Sequence, residues 1–154
     1  MFSRQIFLGC VFLLFACLNS CKAQYLTGYY SKTDFLKACK WDEKVDEHYK
    51  PNATYLHDLE STAPFDVKLF LGTWCGDSKH WVPKFFKIDS LLPIHSLEII
   101  AVDTTKRDSL HVMQQYHVTA LPTFIFIRNG QELGRIVEEP KKKKLEKNMY
   151  QIVK

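Results

Sequence analysis

The chain has 154 residues, enough for one ordinary domain, which excludes an enzyme built from separate cofactor and substrate lobes. Hydrophobic residues at 46% and aromatics at 14% can build a core unaided, and the five cysteines, two of them in an apolar leader, do not supply a disulfide framework. The formal charge of +4 is local: Lys141–Lys154 holds six Lys and one Glu, whereas residues 22–140 carry 14 basic against 16 acidic residues, so a basic face for nucleic acid is excluded.

Residues 2–20 carry Arg4, no acid and an almost unbroken apolar run from Ile6 to Leu18, the layout of a secretory signal. The run is shorter than the roughly 20 apolar residues of a membrane span. Cys10 and Cys17 lie inside it and leave with it. At its end, Leu18-Asn19-Ser20-Cys21 resembles a bacterial lipobox, with Leu three before and a small residue one before the cysteine. That resemblance implies a lipoprotein-type signal over 1–20, a lipid on Cys21, and a domain held at the membrane in the periplasmic or extracytoplasmic space of a bacterial cell envelope. Cleavage after Ala23, with secretion and no anchor, is the alternative.

Residues 21–31 read as a tether. Tyr25, Tyr29 and Tyr30 fall in it, and packing as an edge strand suits them better than resting at the bilayer interface. The folded domain then runs over 32–154. Thr33-Asp34 opens a helical pattern carried by Phe35, Ala38, Cys39, Val45 and Tyr49. Lys50-Pro51-Asn52 breaks it, and Asn52 caps a second helix with Tyr55, Leu56 and Leu59. Val67–Leu71 is a buried strand, and a helix follows from Asp77 to about Leu92. Leu97–Val102 is a strand and Ser109–Tyr116 a helix. Thr123–Arg128 and Glu132–Val137 are strands joined at Asn129-Gly130, the strongest short hairpin signal. Pro140 stands at the start of a last helix whose stripe is Leu145, Met149 and Ile152. From the second helix onward the order is αβαβαββα, which predicts an α/β fold: a central mixed sheet, helices on both faces, and an N-terminal helical extension.

Trp74-Cys75-Gly76-Asp77-Ser78-Lys79 lies where a strand ends and a helix begins. The first N–H groups of a helix are unpaired and its positive dipole end favours a thiolate, the form that attacks a disulfide sulfur. A lone cysteine is otherwise most often a small core hydrophobe. The surroundings are specific. Pro83 follows eight residues after Cys75, Tyr116-His117-Val118-Thr119-Ala120-Leu121-Pro122-Thr123 leads to a proline, and Asn129-Gly130, Val102-Asp103 and Leu133-Gly134 follow at consistent spacing.

Over most of residues 60–154 this set resembles the thioredoxin family. The resemblance implies a thioredoxin-like fold, Cys75 as the attacking cysteine, and Trp74 as a wall of the substrate groove. It also implies that Pro122 is a cis-proline against Cys75, and that the backbone of Ala120 or Leu121 pairs with an extended substrate. Trp81 and Phe85 read as helix packing, and His80 and His117 as surface residues.

Two positions depart from the family. Ser78 stands where dithiol members have a resolving cysteine, and Leu69 where they usually have a buried acid. Together these predict a monothiol site. Asp77 opposes a thiolate at Cys75, Lys79 favours one, and Asp77 is also an ordinary helix-start acid. Cys39 is either a distant resolving thiol or a buried cysteine beside Phe35 and Val45, the second being the more ordinary role. Cys75 with His80 is too few ligands for zinc, so no metal and no cofactor is expected. Lys141–Lys144 reads as a solvated face rather than a lipid contact.

The function that follows is thiol–disulfide exchange through Cys75 in cell redox homeostasis. The partners are exported protein thiols, disulfides or small thiols, with an external thiol reductant. A thioredoxin-fold binding module whose catalysis has lapsed, holding an exported partner along Pro122, is the rival.

Overall fold

The computed structural model describes residues 25–39, 41, 48–105 and 107–154. The signal, the lipobox with Cys21, and Val45 lie outside the described residues. Within them, strands β1 (Gly28–Tyr30), β2 (Phe65–Leu71), β3 (Ile94–Ala101), β4 (Thr123–Arg128) and β5 (Gln131–Val137) form one mixed sheet in the order β1-β3-β2-β4-β5. β2 and β3 are parallel, and the other neighbouring pairs are antiparallel. The helices are α1 (Lys32–Ala38), α2 (Ala53–Glu60), α3 (Gly76–Ile88), α4 (Arg107–Gln115) and α5 (Leu145–Val153).

Strand alternation sorts the core into two layers. Val67, Leu69 and Leu71 of β2 join Ile99, Ala101, Phe124 and Phe126 in the larger layer, with Phe35, Leu59, Trp81, Val82, Phe85, Leu145, Met149 and Val153 from α1, α2, α3 and α5. Phe70, Ile100, Val102 and Ile125 point the other way, where Val112 and Met113 of α4 pack on them with Val118 and Leu121. Helices on both faces of a mixed sheet are thus observed. Each strand is close to its expected span, with β2 and β3 starting earlier at Phe65 and Ile94.

The N-terminal extension follows expectation in its edge strand and departs from it in its helix. Tyr29 and Tyr30 sit in β1 opposite Ile100 and Ile99, so the stretch read as a tether enters the sheet at Gly28. Ser31 caps α1, its Oγ accepting from the Asp34 N–H at 3.1 Å, but the helix stops at Ala38 instead of running on toward Tyr49. Cys39 is already extended at φ −92°, and Trp41 leaves the helix path to meet Phe35 edge-on and to donate its indole N–H to the Thr73 carbonyl at 3.3 Å. Tertiary contacts at Trp41 therefore override the helical spacing. Phe35 is fully buried among Tyr30, Trp41 and Phe86, and burial of such a ring stabilises the extension by about 1.5–3 kcal/mol.

The last helix also begins later. Pro140 precedes a 3-10 turn, Lys141–Lys143, and α5 starts at Leu145. Asn148 explains the break: its Oδ1 accepts from the Lys141 N–H at 3.0 Å and its Nδ2 donates to the Lys141 and Lys144 carbonyls, which closes the turn onto α5. The buried stripe is Leu145, Met149 and Val153, while Ile152 is half-buried and lies against Gly134, where an added Cβ would come within 3.1 Å of it.

Candidate active site

β2 delivers the chain to Gly72, and the Cys75 N–H returns to the Gly72 carbonyl at 2.9 Å, a tight turn that ends the strand. Gly72 is needed here because a Cβ would fall 2.8 Å from the Trp74 ring. Trp74 is 36% exposed and is held by its indole N–H donating to the Val102 carbonyl at 3.1 Å. Cys75 is the N-cap of α3, with extended backbone (φ −79°, ψ 128°), and its carbonyl accepts from the Lys79 N–H at 3.1 Å. The sulfur therefore stands at the positive end of a 13-residue helix. Asp77 and Lys79 are exposed in its first turns, Cys75 is half-buried, and beside Gly76 an added Cβ would meet nothing within 4 Å. Pro83 lies inside α3 and removes the N–H that would pair with the Lys79 carbonyl.

On the other side stands the loop after α4. The Leu121–Pro122 peptide is cis, and the Cys75 Sγ–H donates to the Leu121 carbonyl at 3.4 Å. The Ala120 carbonyl accepts from Thr123 Oγ1 at 2.7 Å and the Pro122 carbonyl from the Glu138 N–H at 2.8 Å. The carbonyls of Ala120 and Leu121 thus accept from Thr123 and Cys75, and a carbonyl oxygen has two lone pairs.

Ser78 does not face solvent. It is fully buried, and its Oγ accepts from the Gly72 N–H at 3.2 Å. Leu69 is likewise fully buried, in the larger core layer. Cys39 and Cys75 are both free thiols, and they belong to different layers: Cys39 packs on the larger one and Cys75 on the smaller. Burial pushes the Cys39 thiol above its ordinary range, against smaller opposing effects from the Trp41 backbone hydrogen bond and the Lys79 charge. His80 contacts the Lys84 ammonium at 2.7 Å and lies edge-on to Trp81, and His117 is exposed. Among the described residues no group of three or more His, Cys, Asp or Glu is placed to hold a metal ion.

Three supports were not legible in the sequence. Arg135 of β5 donates to the Tyr116 and His117 carbonyls at 3.1 and 3.2 Å, where α4 ends through His117 in the left-handed region at φ 52°. It thereby steadies the segment that carries Leu121 and Pro122. Trp41 and Leu26 both reach Thr73: the Leu26 N–H donates to Thr73 Oγ1 at 3.2 Å. These contacts join residues 18 to 47 positions apart, and no local pattern announces them.

The family model described as Thioredoxin matches residues 47–151. Thioredoxin-2 of Pyricularia oryzae is 28% identical over 94 residues, which is 61% of this chain and 53% of that protein. Thioredoxin H2-1 of Oryza sativa subsp. japonica is 31% identical over 98 residues, 64% of this chain and 60% of that protein, so the chain spans little more than half the length of these curated relatives. The crystal structure of Fasciola hepatica thioredoxin aligns with 60% of this chain and 84% of its own at 24% identity, with a TM-score of 0.45. With the family model matching more than half of its length, and with a mixed five-stranded sheet flanked by helices, the chain belongs to the thioredoxin family.

Proposed function

We propose that this protein is a lipid-anchored, extracytoplasmic thioredoxin-like protein that carries out thiol–disulfide exchange through Cys75 alone. The observation that carries the reading is the pairing of a half-buried Cys75, its sulfur against the Leu121 carbonyl beside cis-Pro122, with a buried Ser78 whose hydroxyl accepts from Gly72. The anchor is supported by Leu18-Asn19-Ser20-Cys21 behind the apolar run.

In the exchange, the Cys75 thiolate attacks one sulfur of a partner disulfide and the other sulfur leaves as a thiolate, giving a mixed disulfide. A thiolate of an external reductant then attacks the Cys75 sulfur and frees the reduced partner. A second reductant thiolate restores Cys75, so one partner disulfide is reduced while two reductant thiols are oxidised to a disulfide. The α3 N-terminus holds the attacking sulfur, and the Ala120–Pro122 backbone orients the partner strand.

The test is mass spectrometry of proteins trapped on Cys75 in the exported chain, together with turnover of a disulfide substrate by the parent and by Cys75→Ala. Turnover lost in the variant is expected. A variant that reduces disulfides as well as the parent would falsify the proposal. A single stable adduct that no thiol reductant releases would instead identify a binding module.

A further inference from the structure

The chain enters the domain at the same end as the reactive sulfur. β1 is antiparallel to β3, so Gly28 lies opposite Ala101, which also faces Leu71 at the end of β2. Two residues earlier, the Leu26 N–H donates to Thr73 Oγ1, and Thr73 is two residues before Cys75. Cys21 precedes Leu26 by five Cα steps, which span at most about 18 Å. Three aromatic side chains are exposed on this same end: Tyr25 at 42%, Tyr29 at 60% and Trp74 at 36%. Tyrosine and tryptophan, with an apolar ring and a polar tip, suit the headgroup level of a bilayer. The opposite end carries the Asn129-Gly130 turn, the length of β2 away, roughly 23 Å for seven residues.

We propose that a lipid on Cys21 holds the domain with its Cys75 end toward the bilayer, with Tyr25, Tyr29 and Trp74 at headgroup level. The substrates are then thiols and disulfides of proteins whose cysteines lie within a short reach of that same membrane surface, not those of freely soluble proteins. This inference rests on the lipid anchor of the proposed function, and it adds an orientation and a substrate class to it.

The test uses the full chain, processed in a bacterial host and reconstituted in vesicles of phosphatidylethanolamine and phosphatidylglycerol. A bimane label on Cys75 in a Cys39→Ser background is compared with the same label on Asn129→Cys in a Cys39→Ser, Cys75→Ser background. Quenching by a headgroup-nitroxide lipid is expected to be severalfold stronger at position 75. Equal quenching, or stronger quenching at 129, overturns the inference while leaving the anchor intact. Strong quenching at 75 in native membranes but not in vesicles also overturns it, and points to a protein that holds this end.

The mass of the N-terminal peptide separates the two premises. A Cys21 without diacylglyceryl overturns both anchor and orientation but not exchange at Cys75. As a functional readout, a 20-residue Gly/Ser insertion after Ala23 is expected to slow exchange with a lipid-tethered peptide disulfide severalfold, because a longer linker lowers effective concentration. Exchange with the same peptide in solution stays unchanged. Loss on both substrates, or on neither, overturns the inference.

Discussion

Ser78→Ala separates a structural serine from a catalytic one. The substitution removes the acceptor of the Gly72 N–H, and both residues are buried, so the donor is left without a partner. An orphaned buried donor costs about 1–3 kcal/mol. For a domain of this size each kcal/mol lowers the midpoint by about 4 °C, so thermal unfolding followed by circular dichroism is expected to shift down by about 4–12 °C. The rate at which Cys75 attacks an aromatic disulfide, measured well below the midpoint, should be unchanged, since the Ser78 hydroxyl is buried and engaged by the Gly72 N–H. A midpoint that does not move refutes the role given to the hydrogen bond. An attack rate that collapses in a folded variant refutes the assignment of Ser78 as structural. The companion Ser78→Cys places a thiol one helical turn from Cys75, and its mixed disulfides should release without added reductant. Adducts as long-lived as those of the parent would show that this position does not resolve.

Gly72→Ala puts a Cβ within 2.8 Å of the Trp74 ring, which must move and give up the Val102 carbonyl. A loss of about 1–3 kcal/mol and a changed near-ultraviolet dichroism are expected, and an unchanged spectrum refutes the contact. In a Cys75→Ser variant, alkylation of Cys39 should follow a pH midpoint above that of a small-molecule thiol, because burial disfavours its thiolate. A midpoint at or below that of the small thiol refutes this. Arg135→Met removes the donor from the Tyr116 and His117 carbonyls and should cost about 1–2 kcal/mol, with Arg135→Lys recovering part. The same guanidinium holds the Glu132 carboxyl below its ordinary range by a hydrogen bond. The stabilisation from that pair is present at neutral pH and lost as pH falls through the lowered value. In Arg135→Met that acid-side loss should disappear from the unfolding midpoint, and a midpoint equally sensitive to acid refutes the pairing.

What the sequence reveals is what local chemistry and periodicity control. The strand before Cys75, the helix after it, the Asn129-Gly130 turn and the approach to Pro122 were legible because each is written within a few residues. The end of α1 was not. Phe35, Ala38, Cys39, Val45 and Tyr49 keep a helical spacing, yet the backbone leaves the helix at Cys39 so that Trp41 can reach Phe35 and the Thr73 carbonyl. The start of α5 failed for a similar reason, since Asn148 closes a turn over Lys141 from seven residues away. At the site, Ser78 was legible as a missing thiol, but its bond to Gly72 was not. Sequence reveals the residue types at the sulfur, whereas the residues that brace the surrounding loops, Leu26, Trp41 and Arg135, come from distant parts of the chain.

Under the proposed exchange through Cys75 alone, the lack of a cysteine at position 78 changes what sets the pace of the reaction. In a dithiol site the mixed disulfide is short-lived, since the second sulfur is held at high effective concentration. Here Ser78 is a buried hydroxyl bonded to Gly72, and Cys39 packs on the other core layer with a thiol that burial pushes above its ordinary range. Under that reading the releasing thiolate comes from outside the chain. Release is then bimolecular, and the lifetime of the adduct varies inversely with the external thiolate concentration. Attack depends on how often a partner disulfide meets Cys75, and release depends on reductant supply. The proposed lipid anchor would raise the first rate for neighbouring substrates and leave the second to whatever thiol the compartment supplies. Under scarce reductant such a protein holds its partner covalently, and under abundant reductant it turns over, so one geometry gives either behaviour according to the thiol around it.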